Sequence, residues 1–320
     1  MGSDQSESSV RLGRSDLRVG RLAYGCWRIA GAEGGGAVSA EKRRLGVRSV
    51  LDAFEGGYDF FDLADIYSGG VAEEVFGEAL RESSEMRGRV VVMSKCGIRF
   101  KGDPDADAPY RYDFSSQHII RSCEASLKRL GVDVLDVYLL HRPDYLGDPH
   151  EVAEAFARLE AQGKVRYFGV SNFKPSQVSV LQQACSSPLL ANQVEIHLMR
   201  LDPFHDGTLD QCMEVRMTPL AWSPLAGGRL VDANPIDLHT RDHAHRIHVR
   251  EVMDQVAREL GVSRMVVALS WLLRHPAGII PIVGSTRKER MLESRQALGV
   301  SMTREQWYRL FEVSHGKRLP

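Results

Sequence analysis

The sequence Phe60-Phe61-Asp62-Leu63-Ala64 is an apolar run of strand length, and Glu73-Glu74-Val75-Phe76-Gly77-Glu78-Ala79-Leu80 downstream places apolar residues at helical spacing. Continuous apolar runs predict strands that are buried on both faces of a parallel sheet. Eight such runs occur, each followed by helical sequence, at residues 22–27, 60–64, 90–96, 135–141, 166–171, 191–196, 219–223 and 279–283. Eight parallel strands with helical crossovers close into a barrel, so the sequence predicts an α/β fold of the (β/α)8 TIM barrel type.

The residues outside the eight units extend the barrel at both ends. Two short runs, 10–12 and 17–19, flank a turn-forming segment and predict an N-terminal β-hairpin. Residues 304–313 follow the helix of the eighth strand and predict extra C-terminal helices. We expect a flexible tail at 1–9 and a single barrel domain over 10–320. Within the domain, a polar loop at 232–247 precedes helical segments at 249–260 and 263–274.

Charge and composition exclude several classes of protein. The chain carries 41 Lys and Arg against 42 Asp and Glu, and a net charge of −1 at pH 7 gives no field that attracts nucleic acid. No apolar run reaches the roughly 18 residues that a membrane span requires. Five scattered cysteines without a Cys-x-x-Cys pair are typical of reduced thiols. We therefore expect a cytoplasmic protein whose partners are neither nucleic acid nor membrane. The near-neutral charge does not indicate an oligomeric state, but proteins of the predicted fold are often monomers, so we expect a monomer or weak homo-oligomer.

Four polar residues fall at the carboxyl ends of predicted strands, where barrel enzymes place reactive groups. Asp62 and Tyr67 follow the second strand. Lys95 ends the third strand and His141 ends the fourth. A Lys cation beside a Tyr hydroxyl typically lowers the pKa of the Tyr by about 1–3 units, and an Asp beside the Lys holds it charged. Such a Tyr suits proton transfer to a carbonyl oxygen during hydride transfer, with the His orienting that oxygen, and the chemistry requires no metal.

Five motifs follow one another along the chain: Gly57-Tyr58-Asp59-Phe60-Phe61-Asp62-Leu63-Ala64-Asp65-Ile66-Tyr67, Ser94-Lys95-Cys96-Gly97, Leu139-Leu140-His141-Arg142-Pro143-Asp144, residues 164–173, and Asn192-Gln193-Val194-Glu195. Together they resemble the aldo-keto reductase superfamily from about Leu17 to Trp307. Residues 94–97, 141–144 and 221–228 most resemble the bacterial YdhF-type branch. The resemblance implies a catalytic tetrad, which is Asp62, Tyr67, Lys95 and His141. It also implies NADPH-dependent reduction of a small-molecule aldehyde or ketone, with Tyr67 as the general acid.

The resemblance further implies where the cofactor binds. The family holds NADP(H) without a Rossmann fingerprint, and no Gly-x-Gly-x-x-Gly follows a strand here. The implied contacts around the nicotinamide and pyrophosphate are Gly25, Cys26, Trp27, Asp62, Ser171, Asn172, Gln193, Trp222, Ser223, Leu225 and Gly227. Among them, Ser171, Asn172 and Gln193 would meet the carboxamide. Trp222 would stack on the nicotinamide ring.

The 2′-phosphate would meet the segment that follows the eighth strand. Its implied contacts are Gly284, Ser285, Thr286, Arg287, Arg290, Glu293 and Ser294. Cations and backbone N–H groups at a helix start favour an anion, so NADPH is the expected cofactor. Gly284 stands where the family often has Lys, and Ser294 where it often has Asn, which leaves NADH open as a secondary cofactor. The alternative interpretation of residues 287–290 is a solvated helix start.

The identity of the substrate cannot be read from the sequence. The candidate walls of its pocket are the loop 232–247 and the residues Trp27, Tyr67, Phe100, Tyr112, His141 and Arg142. Arg142 directly follows the catalytic His and indicates a carboxylate or a polar carbonyl substrate. The alternative is that Arg142 merely pairs with Asp144.

Other interpretations stay open at this point. A cofactor-binding sensor or regulatory subunit on the same fold would carry the same residues with little turnover. A metal-dependent hydrolase would use the histidines of residues 239–248, although no carboxylate or cysteine stands at a known ligand spacing, so no metal is expected. Lys95 would lower the pKa of Cys96 in a redox sensor. Met1-Gly2 with Ser6 fits an acylation pattern.

Overall fold

The computed structural model describes residues 9–31, 37–231 and 243–319. The strands in these ranges are β1 (Ser9–Arg11), β2 (Arg18–Gly20), β3 (Ala23–Gly25), β4 (Phe60–Asp62), β5 (Val91–Cys96), β6 (Ile98–Arg99), β7 (Arg111–Tyr112), β8 (Leu135–Leu140), β9 (Val165–Ser171), β10 (Leu189–Glu195), β11 (Thr218–Trp222) and β12 (Ile280–Val283). The α-helices are α1 (Ala40–Glu55), α2 (Val71–Glu82), α3 (Ser84–Arg87), α4 (Ser116–Leu130), α5 (Pro149–Ala161), α6 (Pro175–Ala184), α7 (Asp202–His205), α8 (Thr208–Val215), α9 (His243–Leu260), α10 (Arg264–Leu273), α11 (Lys288–Arg295) and α12 (Arg304–His315). Short 3-10 turns occupy Cys26–Arg28, Tyr67–Gly70, Ala226–Gly228 and Gln296–Gly299.

Eight of the strands form one closed barrel in the order β3-β4-β5-β8-β9-β10-β11-β12, and β12 pairs again with β3. Every neighbouring pair in the barrel is parallel. Each barrel strand begins and ends within two residues of its predicted run. The predicted (β/α)8 TIM barrel is therefore confirmed.

Local sequence sets the ends of the helices that cover the barrel, and α4 illustrates this. The Ser115 hydroxyl accepts a hydrogen bond from the backbone N–H of His118 at its start. Gly131 ends the helix at a φ of 68°, a left-handed conformation that glycine adopts without strain. Ile119 and Cys123 lie one turn apart and are buried. Capping and apolar spacing together place one face of α4 on the strands.

The core has two layers, one inside the barrel and one between the strands and the helices. The predicted hairpin, β1 paired with β2, closes the amino end of the barrel because Leu12, Leu17 and Val19 join the interior cluster. The backbone N–H of Gly13 donates to Thr218 Oγ1 at 2.8 Å, at the start of β11. The hairpin therefore covers the amino end of the barrel.

The segment before β12 differs from the prediction. Helix α9 begins at His243 rather than at 249, so the predicted polar loop ends earlier than expected. The first turns of α9 carry histidines and arginines, so they show no apolar helical periodicity in the sequence. Arg246 is nevertheless buried, as is Val249 one turn later. Residues 232–242 of that loop and residues 1–8 of the predicted tail lie outside the described residues, while Ser9 belongs to β1.

Other elements complete the comparison with the sequence. The extra C-terminal helix α12 is present and packs its apolar residues against α9. The antiparallel pair β6–β7 was not predicted, whereas α7 and α8 supply the helical sequence expected after the sixth barrel strand. Among the helices of the described ranges, none is long and apolar enough to cross a bilayer.

Candidate active site

The four polar side chains predicted at strand ends lie together at the carboxyl end of the barrel. Asp62 is the last residue of β4, and Lys95 is the penultimate residue of β5. His141 directly follows β8. Tyr67 begins a 3-10 turn in which Ser68 adopts a φ of 51°. This bent turn returns the Tyr67 hydroxyl to the strand ends, 3.0 Å from Lys95 Nζ.

Lys95 connects the cluster. Its Nζ donates to Asp62 Oδ1 at 2.7 Å, to the Tyr67 hydroxyl at 3.0 Å and to the Leu63 carbonyl at 2.6 Å. These bonds use all three donors of the ammonium group. Burial acts to lower the pKa of Lys95, but the Asp62 carboxylate and the Tyr67 hydroxyl outweigh it, and the pKa is raised. The ammonium therefore stays charged inside the site.

Tyr67 keeps its proton at neutral pH. Burial raises the pKa of its hydroxyl to about 12, while Lys95 acts in the opposite direction. The prediction of a net lowering by Lys95 is therefore wrong, because desolvation of the phenolate outweighs the attraction of the cation. A protonated phenol beside a fixed cation can release its proton when negative charge develops on a neighbouring oxygen.

His141 is a neutral imidazole. Burial, and then the charges of Lys95 and Arg142, lower its pKa well below the usual range. Its ring lies edge-on to Tyr67, with 5.9 Å between the ring centroids. Its buried Nδ1 has no hydrogen-bond partner among the described residues. A neutral imidazole can donate one N–H to a carbonyl oxygen, so His141 and Tyr67 can both donate a hydrogen bond to the same oxygen.

Amide and hydroxyl groups from the next strands form a connected network. Gln193 on β10 donates from Nε2 to Asp62 Oδ1 at 2.8 Å. Ser171 Oγ donates to the Gln193 carbonyl at 2.9 Å and accepts from Asn172 Nδ2 at 2.7 Å. Trp222 Nε1 donates to Asn172 Oδ1 at 3.0 Å. These bonds hold Asn172 at a φ of 63°, a conformation that a residue other than glycine rarely adopts.

These groups open into a cavity of about 360 Å³. The predicted site residues that line it are Gly25, Trp27, Asp62, Tyr67, His141, Arg142, Ser171, Asn172, Gln193, Trp222, Ser223, Leu225, Gly227, Gly284, Ser285 and Arg290. The lining residues that the sequence analysis missed are Arg28, Pro224, Gly228, Val231, Met265, Ile282 and Val283. Adjacency to predicted residues was the available signal for Arg28 and Pro224. Met265 comes from α10, whose approach to the cavity has no signature in the sequence.

The donor set of this cavity fits a nicotinamide cofactor. A carboxamide has an acceptor oxygen and an N–H donor group, and the side chains of Ser171, Asn172 and Gln193 offer both kinds of partner. Trp222 adds an aromatic surface, and the cavity extends to Arg290 on α11. The residues present therefore match a planar amide at one end of the cavity and an anion at the other.

Several predicted cofactor contacts lie outside the lining, and these are Cys26, Thr286, Arg287, Glu293 and Ser294. Ser294 is fully buried and forms a hydrogen bond of 2.5 Å with the Tyr58 hydroxyl. Lys288, in the same segment, donates to Asp52 at 2.8 Å and to Glu55 at 2.9 Å. These contacts attach α11 to neighbouring structure, so part of the predicted phosphate segment is used for packing.

The predicted substrate walls Phe100 and Tyr112 lie at the β6–β7 pair, outside the cavity lining. A chain of aromatic rings connects them, with centroids 6.4 Å apart from Phe100 to Tyr110 and 6.0 Å apart from Tyr110 to Tyr112. Phe100 and Tyr110 are both about half exposed. The sequence analysis missed Tyr110, because the antiparallel pair that positions it was not predicted.

The histidines near the start of α9 and the thiol of Cys96 were the other candidate functional groups. Within residues 9–31, 37–231 and 243–319, no group of three or more His, Cys, Asp or Glu side chains could hold a metal ion. His239 lies outside the described residues, whereas His243, His245 and His248 lie along α9. Cys96 is buried, and burial raises the pKa of its thiol well above the usual range, which argues against the redox-sensor alternative.

Known proteins resemble this chain over almost its whole length. A family model described as the aldo/keto reductase family matches residues 21–315. The 6-dehydroglucose reductase of Novosphingobium aromaticivorans is 40% identical over 97% of this chain and 96% of its own length. The oxidoreductase YdhF of Escherichia coli is 38% identical over 94% of this chain and 95% of its own length. The solved glycerol dehydrogenase of Gluconobacter oxydans gives a TM-score of 0.84 at 25% identity, covering 96% of this chain and 95% of that one.

Proposed function

Since this chain belongs to the aldo/keto reductase family and is an NAD(P)H-dependent oxidoreductase, we propose that it uses NADPH to reduce an aldehyde or ketone to an alcohol. The observation that carries the proposal is the buried trio in which Lys95 Nζ touches both the Asp62 carboxylate and the Tyr67 hydroxyl. An ammonium held between a carboxylate and a phenol stabilises the phenolate that forms when the phenol gives up its proton, so this arrangement suits a general acid.

Each residue of the tetrad has a separate role in carbonyl reduction. The bound nicotinamide supplies the hydride. His141 orients the carbonyl oxygen, and Tyr67 donates its proton to that oxygen as negative charge develops there. Lys95 stabilises the resulting phenolate, and Asp62 keeps Lys95 charged and in place. Tyr67 then recovers a proton from solvent through the open mouth of the cavity.

The proposed cofactor contacts divide into two groups. Ser171, Asn172 and Gln193 would hold the carboxamide, and Trp222 would offer its ring to the nicotinamide. Arg290 on α11 and Ser285, which precedes that helix, both line the cavity and would meet the 2′-phosphate. A guanidinium suits a phosphate because its fork of N–H donors matches the phosphate oxygens. NADPH is therefore the proposed cofactor rather than NADH.

The experiment is NADPH oxidation followed at 340 nm against a carbonyl panel, repeated with NADH. The panel contains an aromatic aldehyde, a dicarbonyl, a keto acid and a sugar aldehyde, the last because a relative is a 6-dehydroglucose reductase. Tyr67→Phe should lower turnover by about 10²–10⁴-fold, the usual contribution of general acid catalysis, while NADPH still binds. Tyr308→Phe on the surface of α12 is the matched control. NADPH binding without turnover of any carbonyl would contradict the proposal and favour a sensor.

A further inference from the structure

Arg142 is a charged residue of the cavity whose position the tetrad does not explain. It follows His141 at the end of β8 and lines the same cavity as Tyr67. Its side chain is half-buried, and its guanidinium carbon lies 5.5 Å from the ring centroid of Trp222. The guanidinium thus stacks on an aromatic ring at the mouth of the site instead of extending into solvent.

The carboxylate next to Arg142 in the sequence is engaged elsewhere. Asp144 accepts hydrogen bonds from the backbone N–H groups of Phe114 at 2.9 Å and Leu146 at 3.0 Å. The alternative that Arg142 merely pairs with Asp144 therefore does not hold. In the part of the chain that the structure describes, no acidic side chain forms an ion pair with Arg142.

Among the described residues, the acidic side chain that lines the cavity is Asp62, and it has partners of its own. Asp62 is bound by Lys95 and Gln193. A half-buried guanidinium has lost part of its hydration, and an anionic ligand would compensate for that loss more effectively than a neutral one.

A second arginine repeats this arrangement on another strand end. Arg28 lines the cavity, and its guanidinium carbon lies 5.6 Å from the ring centroid of Trp27. Like Arg142, it forms no ion pair with any acidic group in the described ranges. Two positively charged side chains therefore line the cavity that contains Tyr67.

We infer that the carbonyl substrate carries an oxyanion, a carboxylate or a phosphate, which pairs with the guanidinium of Arg142 while its carbonyl group lies between Tyr67 and His141. Arg28 strengthens the attraction at the rim. This inference rests on the proposed function, since it concerns the substrate of the same reaction. It assigns to Arg142 the choice between charged and neutral carbonyl compounds.

The test compares pairs of carbonyl compounds in which one member carries the oxyanion and the other is neutral. The carboxylate pair is 4-formylbenzoate and its methyl ester, and the phosphate pair is glyceraldehyde 3-phosphate and glyceraldehyde. The wild type should favour the charged member of one pair by about tenfold or more in kcat/KM, as a charge-assisted hydrogen bond predicts. Whichever pair shows the preference identifies the oxyanion. The preference should weaken as ionic strength rises.

Variants then assign the preference to Arg142. Arg142→Gln should lower the charged-to-neutral ratio of kcat/KM by about tenfold, mainly through KM for the charged member. Arg142→Lys should restore part of the ratio, because an ammonium keeps the charge but not the fork of donors. The matched control is Arg216→Gln, which removes an exposed arginine just before β11, at the opposite end of the barrel.

The outcomes separate this inference from the proposed function. Equal losses on charged and neutral members in Arg142→Gln, or no charge preference in a wild type that reduces the neutral members, would overturn the inference alone. Absence of NADPH oxidation with every carbonyl would overturn the proposed function and the inference with it. A ratio that falls in Arg142→Gln and recovers in Arg142→Lys would support both.

Discussion

The two ends of the cavity are built differently, although the sequence presents both as polar residues after a strand. At the catalytic end, Lys95 is fully buried and makes its hydrogen bonds to groups of the same site. At the end proposed for the 2′-phosphate, called here the phosphate end, residues just outside the lining bond elsewhere: Lys288 bonds with Asp52 on α1, and Ser294 bonds with Tyr58. Polar residues are thus gathered around a reacting centre at one end and shared with packing at the other.

The difference follows from how each residue reaches its place. The ends of barrel strands are fixed by hydrogen bonds to neighbours on both sides, so Asp62 and Lys95 converge once β4 and β5 pair. Helix α11 has no such ladder and is attached to α1 by its own side chains. A polar residue at a strand end can therefore be assigned to chemistry more securely than one on a covering helix.

The largest expected effect comes from removing the charge at the catalytic end. Lys95→Met leaves the Asp62 carboxylate buried without its partner, which should lower the free energy of unfolding by about 3–5 kcal/mol. Reduction should fall by at least about a hundredfold, because the Tyr67 phenolate loses its stabilising cation. Thermal unfolding and NADPH oxidation measure the two effects.

Lys288→Met is the matched control from the phosphate end. Lys288 also contacts two carboxylates, but its side chain is 39% exposed, so solvent replaces the lost partners. We expect almost no change in its melting temperature or turnover. Comparable damage in the two lysine variants would show that the two ends are not built differently.

A smaller effect is expected from the arginine that lines the phosphate end of the cavity. Arg290→Ala should raise KM for NADPH by about tenfold and leave KM for NADH nearly unchanged, because NADH lacks the 2′-phosphate. Steady-state kinetics with both cofactors measure this selectivity. Ser294→Ala provides the comparison: its buried hydroxyl bonds to Tyr58, so it should affect thermal stability more than KM. If Ser294→Ala changed the ratio of KM for NADPH to KM for NADH more than Arg290→Ala does, Ser294 would belong to the cofactor site.

The smallest expected effect is that of pH on reduction. Tyr67 must be protonated to act, and burial raises its pKa to about 12, so the active form persists below that value and is lost as pH rises through it. Burial also lowers the pKa of His141 well below its usual range, so this group stays neutral at mildly acidic pH. The kcat/KM for a neutral aldehyde should be flat between pH of about 6 and 9. If kcat/KM falls within that range while the melting temperature stays constant, one of these pKa values is wrong.

The sequence was informative where periodicity and strand order determine position. Apolar runs predicted all eight barrel strands, and strand order brought Tyr67 next to Lys95 without any structural information. The net pKa of Tyr67 was mispredicted because the motif shows the nearby cation but not the extent of burial. Ser294 was assigned to the cofactor through the family resemblance, at a position that is often Asn, whereas its environment depends on how α11 packs against the rest of the chain. Tyr110 was missed because a two-residue pairing such as β6–β7 leaves almost no periodic signal.

The hairpin that closes the amino end of the barrel has a practical consequence. Ser9 begins β1 on the closed side, opposite the cavity that holds Tyr67. A support or fusion partner attached before Ser9 would therefore leave the mouth of the barrel facing the medium. Immobilisation through the amino end should preserve access of both reactants to the cavity. The hairpin-covered end of the barrel is therefore a suitable point of attachment for a biocatalyst.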